Sequence, residues 1–157
     1  MNDLRIDGPH VSAAFLCEKM LIERDNVASF IRVVDRFTVT VFKNLPPGVN
    51  FPSPTIQATL VISLKAGSVG AGTHPIKVVM YKPDGSVAFE NASSAFLSGS
   101  EDNGVLMALP IVVNMPEEGL HWIDVSFEDI LLTRVPLRVI VQTTSLPFQP
   151  PPVPPQG

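Results

Sequence analysis

Hydrophobic and polar residues alternate along most of this chain, and a period of two is the signature of a strand, whose successive side chains point to opposite faces of a sheet. In Phe37-Thr38-Val39-Thr40-Val41 the apolar residues share one face and the threonines the other, as in a half-buried antiparallel strand. Ala58, Leu60, Ile62 and Leu64 lie opposite Thr59, Val61 and Ser63, and Ile76, Val78 and Met80 lie opposite Lys77, Val79 and Tyr81. His121, Ile123, Val125 and Phe127 align against Trp122, Asp124 and Ser126. Val135, Leu137, Val139 and Val141 then align against Arg134 and Arg138, and the two runs predict a hairpin. Pro136 has no N–H to give to a ladder, so the last strand is expected at an edge or with a bulge there. The run from Val105 to Val113 is apolar on both faces and predicts an interior strand bent at Pro110.

Turn chemistry separates these runs. Lys82-Pro83-Asp84-Gly85 reads as a β-turn, because proline presets one dihedral and glycine accepts a positive one, and Pro116-Glu117-Glu118-Gly119 does the same ahead of Trp122. Residues 12–24 fit a short helix or a strand, whereas the β-branched VASFIRVV that follows leans to strand. Closely spaced strands with Gly/Pro turns and no recurring helical pattern predict an all-β fold, an antiparallel β-sandwich of about seven to nine strands. The expected organisation is an N-terminal arm over 1–10, the sandwich over 11–144 and a proline-rich tail over 145–157. From Leu146 the chain reads LPFQPPPVPPQG, a composition that forbids helix and interior strand and favours an extended, disordered segment.

Composition narrows the class. At 157 residues, 45% hydrophobic and 17% charged, the chain has the size and apolar content of one folded domain. Its net charge of −4 supplies no field that would gather a polyanion, so neither nucleic acid nor an anionic membrane is an expected partner. A single cysteine, Cys17, and an acidic start, MNDLRIDG, in place of a signal peptide lead to a cytoplasmic expectation. Asn91-Ala92-Ser93 fits the glycosylation pattern, which matters only on a secretory route.

Candidate chemistry is sparse. The loop GSVGAG, residues 67–72, lacks the lysine and the helix of a phosphate cradle and reads as a connection between strands. His10, His74 and His121 stand at no metal-ligand spacing from one another or from Cys17, so no metal or cofactor is expected. His121 falls at an inward position suited to packing. Cys17 reads as a small buried hydrophobe. No G-x-S-x-G element or cysteine-protease context occurs. Glu101-Asp102-Asn103 lacks the alternating ligands of a calcium loop and reads as solvated surface. Arg32, Arg36, Arg134 and Arg138 are candidates to share a sheet face, with no aromatic platform to make a nucleic-acid surface.

Several stretches together resemble a family: Ala14-Phe15-Leu16-Cys17-Glu18, His74-Pro75, Lys82-Pro83-Asp84-Gly85, Glu118-Gly119-Leu120-His121-Trp122 and Leu131-Leu132-Thr133-Arg134-Val135-Pro136-Leu137. They are similar to a bacterial family of uncharacterised small all-β proteins. That resemblance implies the fold and brings no active site. The expected function is therefore a non-catalytic binding or scaffold module acting through protein–protein contacts, with no catalytic residues. Its partner is another protein or a second copy, with Leu146 and Phe148 as the partner-binding residues. The rivals are an enzyme whose dispersed site brings His74, Asp84 and Glu118 together at one end of the sandwich, and a tail processed or conjugated at Gly157.

Overall fold

The computed structural model describes residues 7–145 and is all-β. Among the described residues nine strands form two sheets: β1 (His10–Ile22), β2 (Ala28–Val34), β3 (Arg36–Lys43), β4 (Thr55–Lys65), β5 (Gly72–Tyr81), β6 (Val87–Leu97), β7 (Gly104–Asn114), β8 (Gly119–Phe127) and β9 (Ile130–Ser145). The first sheet has the order β2-β1-β4-β7 and the second β3-β9-β8-β5-β6. The ambiguous residues 12–24 are resolved as strand β1, a tight turn at Glu23–Asn26, and no helix. Hydrogen bonding of β1 to β2 on one side and β4 on the other decides this, because tertiary pairing outweighs a local propensity of a few tenths of a kcal/mol per residue, about the spread among ordinary residues.

The core lies between the sheets and is built from the inward sets that alternation predicts. Leu60, Ile62 and Leu64 of β4, Ile76, Val78 and Met80 of β5, and Ile123, Val125 and Phe127 of β8 are all buried there, closed by Leu137 and Val139 of β9. Three residues break the simple rule. Cys17, Val61 and Val79 have outward parity but are buried all the same, Val61 between its cross-strand partners Phe15 and Ala108. The first sheet therefore packs on part of its outer face as well as its inner one.

Three details differ from the sequence expectation. The sandwich is not wholly antiparallel: β3 pairs parallel with β9, from Arg36 opposite Arg138 to Lys43 opposite Ser145. The cause is that the chain changes sheets across Asp35 without reversing, so β3 arrives beside β9 in the direction it already had; the Asp35 carbonyl accepts the Arg138 N–H at 2.9 Å. Next, β7, expected to be interior, is the edge of the first sheet, where Pro110 faces Thr59 on its single paired side. An edge tolerates a proline that an interior strand would not. Finally, β9 lies inside its sheet and the irregularity in its pairing with β8 falls at Val125/Ser126 instead of at Pro136. Pro136 is accommodated because β3 begins to pair only at Arg138, leaving the proline on a locally open side.

The β8–β9 hairpin forms as predicted, through Glu128 and Asp129 at φ 48° and 64°. Two successive positive φ values are the mark of a twist-matching two-residue hairpin turn. At the other end of β8, Gly119 has φ 135°, and a Cβ there would lie 2.6 Å from Cγ of Pro83. That glycine lets the β7–β8 turn close against the Lys82–Gly85 turn.

Truncation to alanine of Leu60, Ile62, Val125 or Leu137, each fully buried, is expected to cost about 2–5 kcal/mol from lost burial and the cavity left behind. Thr40→Ala, on an exposed position, should stay within about 0.5 kcal/mol. Val61→Ala discriminates: a loss above about 1 kcal/mol in urea melts is expected of a packed outer face, and a loss as small as that of Thr40→Ala would show that face to be unpacked.

Candidate functional site

The outer face of the second sheet carries a row of large side chains made by register alone. Val87 of β6 stands opposite Tyr81 of β5, Tyr81 opposite Trp122 of β8, and Trp122 opposite Pro136 of β9. Tyr81 and Trp122 are the only tyrosine and the only tryptophan in the chain. Both are half-buried, and Val87 is exposed. Antiparallel partners bring Cβ atoms to about 5 Å, so the two rings are direct neighbours.

In the adjacent row Arg134 reaches back over this pair, its guanidinium 5.7 Å from the Trp122 ring centre. Asp124 holds it there through two hydrogen bonds, Nε to Oδ1 at 2.6 Å and Nη2 to Oδ2 at 2.8 Å. The aspartate side chain is only 13% exposed, so the fork-to-carboxylate pair is strong for a surface ion pair and keeps the arginine in one geometry. That carboxylate also raises the guanidinium above its ordinary value. Tyr81, Trp122 and Arg134, together with Lys82, Pro83 and Leu120, wall an open groove of about 510 Å³. Trp122 and Tyr81 offer apolar faces with polar tips, and the arginine a cation with spare N–H donors, a set suited to gripping a partner by stacking and hydrogen bonding.

Beneath this groove, on the opposite side of β8, His121 is 1% exposed. It borders a second hollow of about 350 Å³ lined by Val113, Asn114, Pro116, Glu117 and Lys82. Its packing role is as expected, although Nδ1 has no hydrogen-bond partner among the described residues. Burial lowers its pKa, and the Gly119 carbonyl and Glu117 oppose that less strongly. At the hollow's rim Lys82 donates to Glu117 at 3.0 Å.

His74 lies elsewhere. It sits near the start of β5, with Nδ1 2.7 Å from Oε1 of Glu128 and Nε2 3.1 Å from the Gly70 carbonyl, stacked on Phe127. With an acceptor at each ring nitrogen, only the doubly protonated ring satisfies both, and Glu128 accordingly raises its pKa. Asp84 follows the far end of β5, about 25 Å along the strand at the usual rise, so the constellation of His74, Asp84 and Glu118 does not assemble. The Asp84 carboxylate instead accepts the Ser86 N–H and hydroxyl at 2.8 and 2.7 Å, which hold its pKa down.

Of Arg32, Arg36, Arg134 and Arg138, Arg32 belongs to the first sheet, paired with Glu18 at 3.1 Å, while the other three belong to the second. The expectation that no aromatic platform accompanies them is overturned at Arg134 alone, by Trp122 and Tyr81. The signal was present in outward parity at both aromatics; which strands lie side by side was not. Leu146 and Phe148 lie outside the described residues. Cys17 is free and buried as expected, and burial raises its thiol pKa. Among the described residues no three His, Cys, Asp or Glu side chains are grouped to hold a metal ion, and no helix is long and apolar enough to cross a membrane.

A family of unknown function, DUF6941, matches residues 13–140. The chain belongs to this family. The match runs from β1 into β9 and so takes in every residue of the groove. No curated protein matches the sequence. Among solved structures, the CARDB domain of a Pyrococcus furiosus protein, determined in complex with di-metal ions, is similar with a TM-score of 0.36 and 12% identity over 89% of this chain and 100% of that domain.

The two histidines pull stability in opposite directions with pH. For His74, whose folded pKa lies above the unfolded value of about 6.5, the stabilisation is complete below that value and is lost as pH rises through the folded pKa. For His121, whose folded pKa is depressed, the unfolded chain takes up the proton first, so stability is lost as pH falls below about 6.5. His121→Leu is therefore expected to gain stability on acidification from pH 8 to pH 6, and Glu128→Gln to lose it from pH 7 to pH 5. Chemical melts across pH check this; parallel profiles for the two variants would refute the assignment.

Proposed function

We propose that the protein is a non-catalytic binding module that acts through protein–protein contacts, and that the Tyr81–Trp122–Arg134 face is its contact surface. The observation that carries this is the placement of the chain's only tryptophan and only tyrosine side by side on the outer face of a sheet, beneath an arginine fixed by Asp124. Tryptophan, tyrosine and arginine are the residue types on which binding energy concentrates at interfaces. A fold that needed them only for stability would turn them inward, where the neighbouring Ile123 and Val125 go. The ion pair gives the site a preset shape, which reduces the ordering cost of association. The surroundings support a protein partner over a nucleic acid, since Asp124, Glu117 and Asp84 lie near the groove and the net charge is −4. The lone free thiol of Cys17 is in keeping with a reducing compartment.

The test is affinity capture from the native host with the wild-type chain, Tyr81→Ala and Trp122→Ala, each first shown to keep a cooperative melt, with Thr40→Ala as control. A partner held by the wild type and by Thr40→Ala should be lost by both aromatic variants. Undiminished capture by both would place the contact surface elsewhere.

A further inference from the structure

The groove over Trp122 and the sequence that follows β9 are chemically matched. We propose that this groove receives the proline-rich segment 146–157 of a second copy of the chain, so that the protein self-associates by a tail-to-groove contact. The proposal rests on the reading of this face as a contact surface and names its occupant.

The match begins with hydrogen bonding. Proline residues offer carbonyl acceptors and no backbone donors, and in Pro150-Pro151-Pro152-Val153-Pro154-Pro155 Val153 supplies the one backbone N–H. The groove offers the converse: the indole N–H of Trp122, the phenol of Tyr81, the free guanidinium hydrogens of Arg134 and the ammonium of Lys82. Its apolar surface is aromatic, and grooves lined by aromatic rings are a recurring way to hold extended proline segments, which lose little entropy on docking. The segment carries no charged side chain, so it can lie over Arg134 without competing for Asp124.

The direction of the chain favours an occupant from another copy, because β9 carries its own tail away from the groove. Trp122 stands opposite Pro136, and β9 continues to Ser145, nine residues on and about 30 Å away at the usual strand rise. An extended proline segment gains about 3.1 Å per residue. A tail doubling straight back from Ser145 would carry Pro150–Pro152 only about 16–22 Å of that distance, and Pro154 and Pro155 about 28–31 Å only if no residue were spent on the reversal. The chain's own tail can therefore bring at most its last two prolines to its own Trp122, and only after reversing direction, whereas a second molecule can lay the whole run there.

Trp122 also supplies the readout, as the only tryptophan. A synthetic peptide of residues 146–157 is titrated into the chain ended after Ser145, following Trp122 fluorescence, and the full chain and its variants are compared by sedimentation velocity over a range of concentrations. The expected results are a saturable change in Trp122 emission, self-association of the full chain that the shortened chain lacks, and at least a tenfold weakening of it in Trp122→Ala. The pair Pro151→Lys and Pro154→Lys, which leaves the folded strands untouched and sets cations against Arg134 and Lys82, should weaken it equally, so a misfolded Trp122→Ala would not spoil the test. Unchanged emission with peptide, or equal association of the full and shortened chains, would overturn the proposal. If that happens while Trp122 is still required to capture a foreign partner, the tail alone is refuted; if Trp122 is required for neither, the contact face falls too.

Discussion

The register of β9 against β8 is the constraint on which the second sheet depends. Pairing from Gly119 opposite Val139 to Phe127 opposite Ile130 sets Asp124 across from Arg134 and Trp122 across from Pro136 in one stroke. A shift by one residue would send Leu137 and Val139 out to solvent and turn Arg134 and Arg138 toward the core, a cost of many kcal/mol from lost burial and stranded charge. The hydrophobic core thus holds the outer face in place: the inward residues specify the register, and the register composes the groove. The hairpin turn at Glu128 and Asp129 fixes it from one end, and the parallel partner β3 secures the other.

What the sequence made legible follows from what alternation encodes. It reports which side chains share a face of one strand, and the inward sets of β4, β5, β8 and β9 were readable residue by residue. It does not report which strands are neighbours. Tyr81 and Trp122 are 41 positions apart, and only the order β9-β8-β5 makes them adjacent. The same blindness explains β7, whose two apolar faces suggested an interior strand: its outer apolar residues Leu106 and Val112 are in fact exposed at an edge. Direction was hidden for a related reason, since nothing in Arg36–Lys43 says whether β3 meets β9 parallel or antiparallel. In residues 12–24 the local pattern was compatible with two periods, and hydrogen bonding on both sides of β1 chose between them.

The histidines show how similar residues acquire opposite roles from position. His121 follows the inward parity of β8, where desolvation favours the neutral ring. His74 stands at a strand end between a carboxylate and a carbonyl, where two acceptors favour the charged one. Glu128 serves both this pair and the hairpin turn, holding a left-handed backbone conformation that a glutamate adopts at some cost. Its ion pair and the backbone bond from its N–H to the Pro75 carbonyl, at 3.0 Å, offset that cost and tie the β8–β9 turn to the start of β5.

A sandwich needs only its inner faces to be apolar, and the outer face of the second sheet bears Lys77, Glu90, Asp124 and Arg138 as that rule requires. Against such a background two large aromatics are costly to leave half in water: full burial of one large apolar side chain is worth about 1.5–3 kcal/mol, part of which is forgone here. The ion pair of Arg134 with Asp124 recovers little of it for folding, because surface pairs contribute about 0–1 kcal/mol. Its effect is instead geometric, a cation held over Trp122 before anything binds. Where a fold forgoes stability to keep aromatic surface accessible and fixes the charged residue beside it, the missing burial is available to an association. The donors at the rim then select what that partner must present, a surface rich in acceptors and poor in donors, as an extended proline segment is.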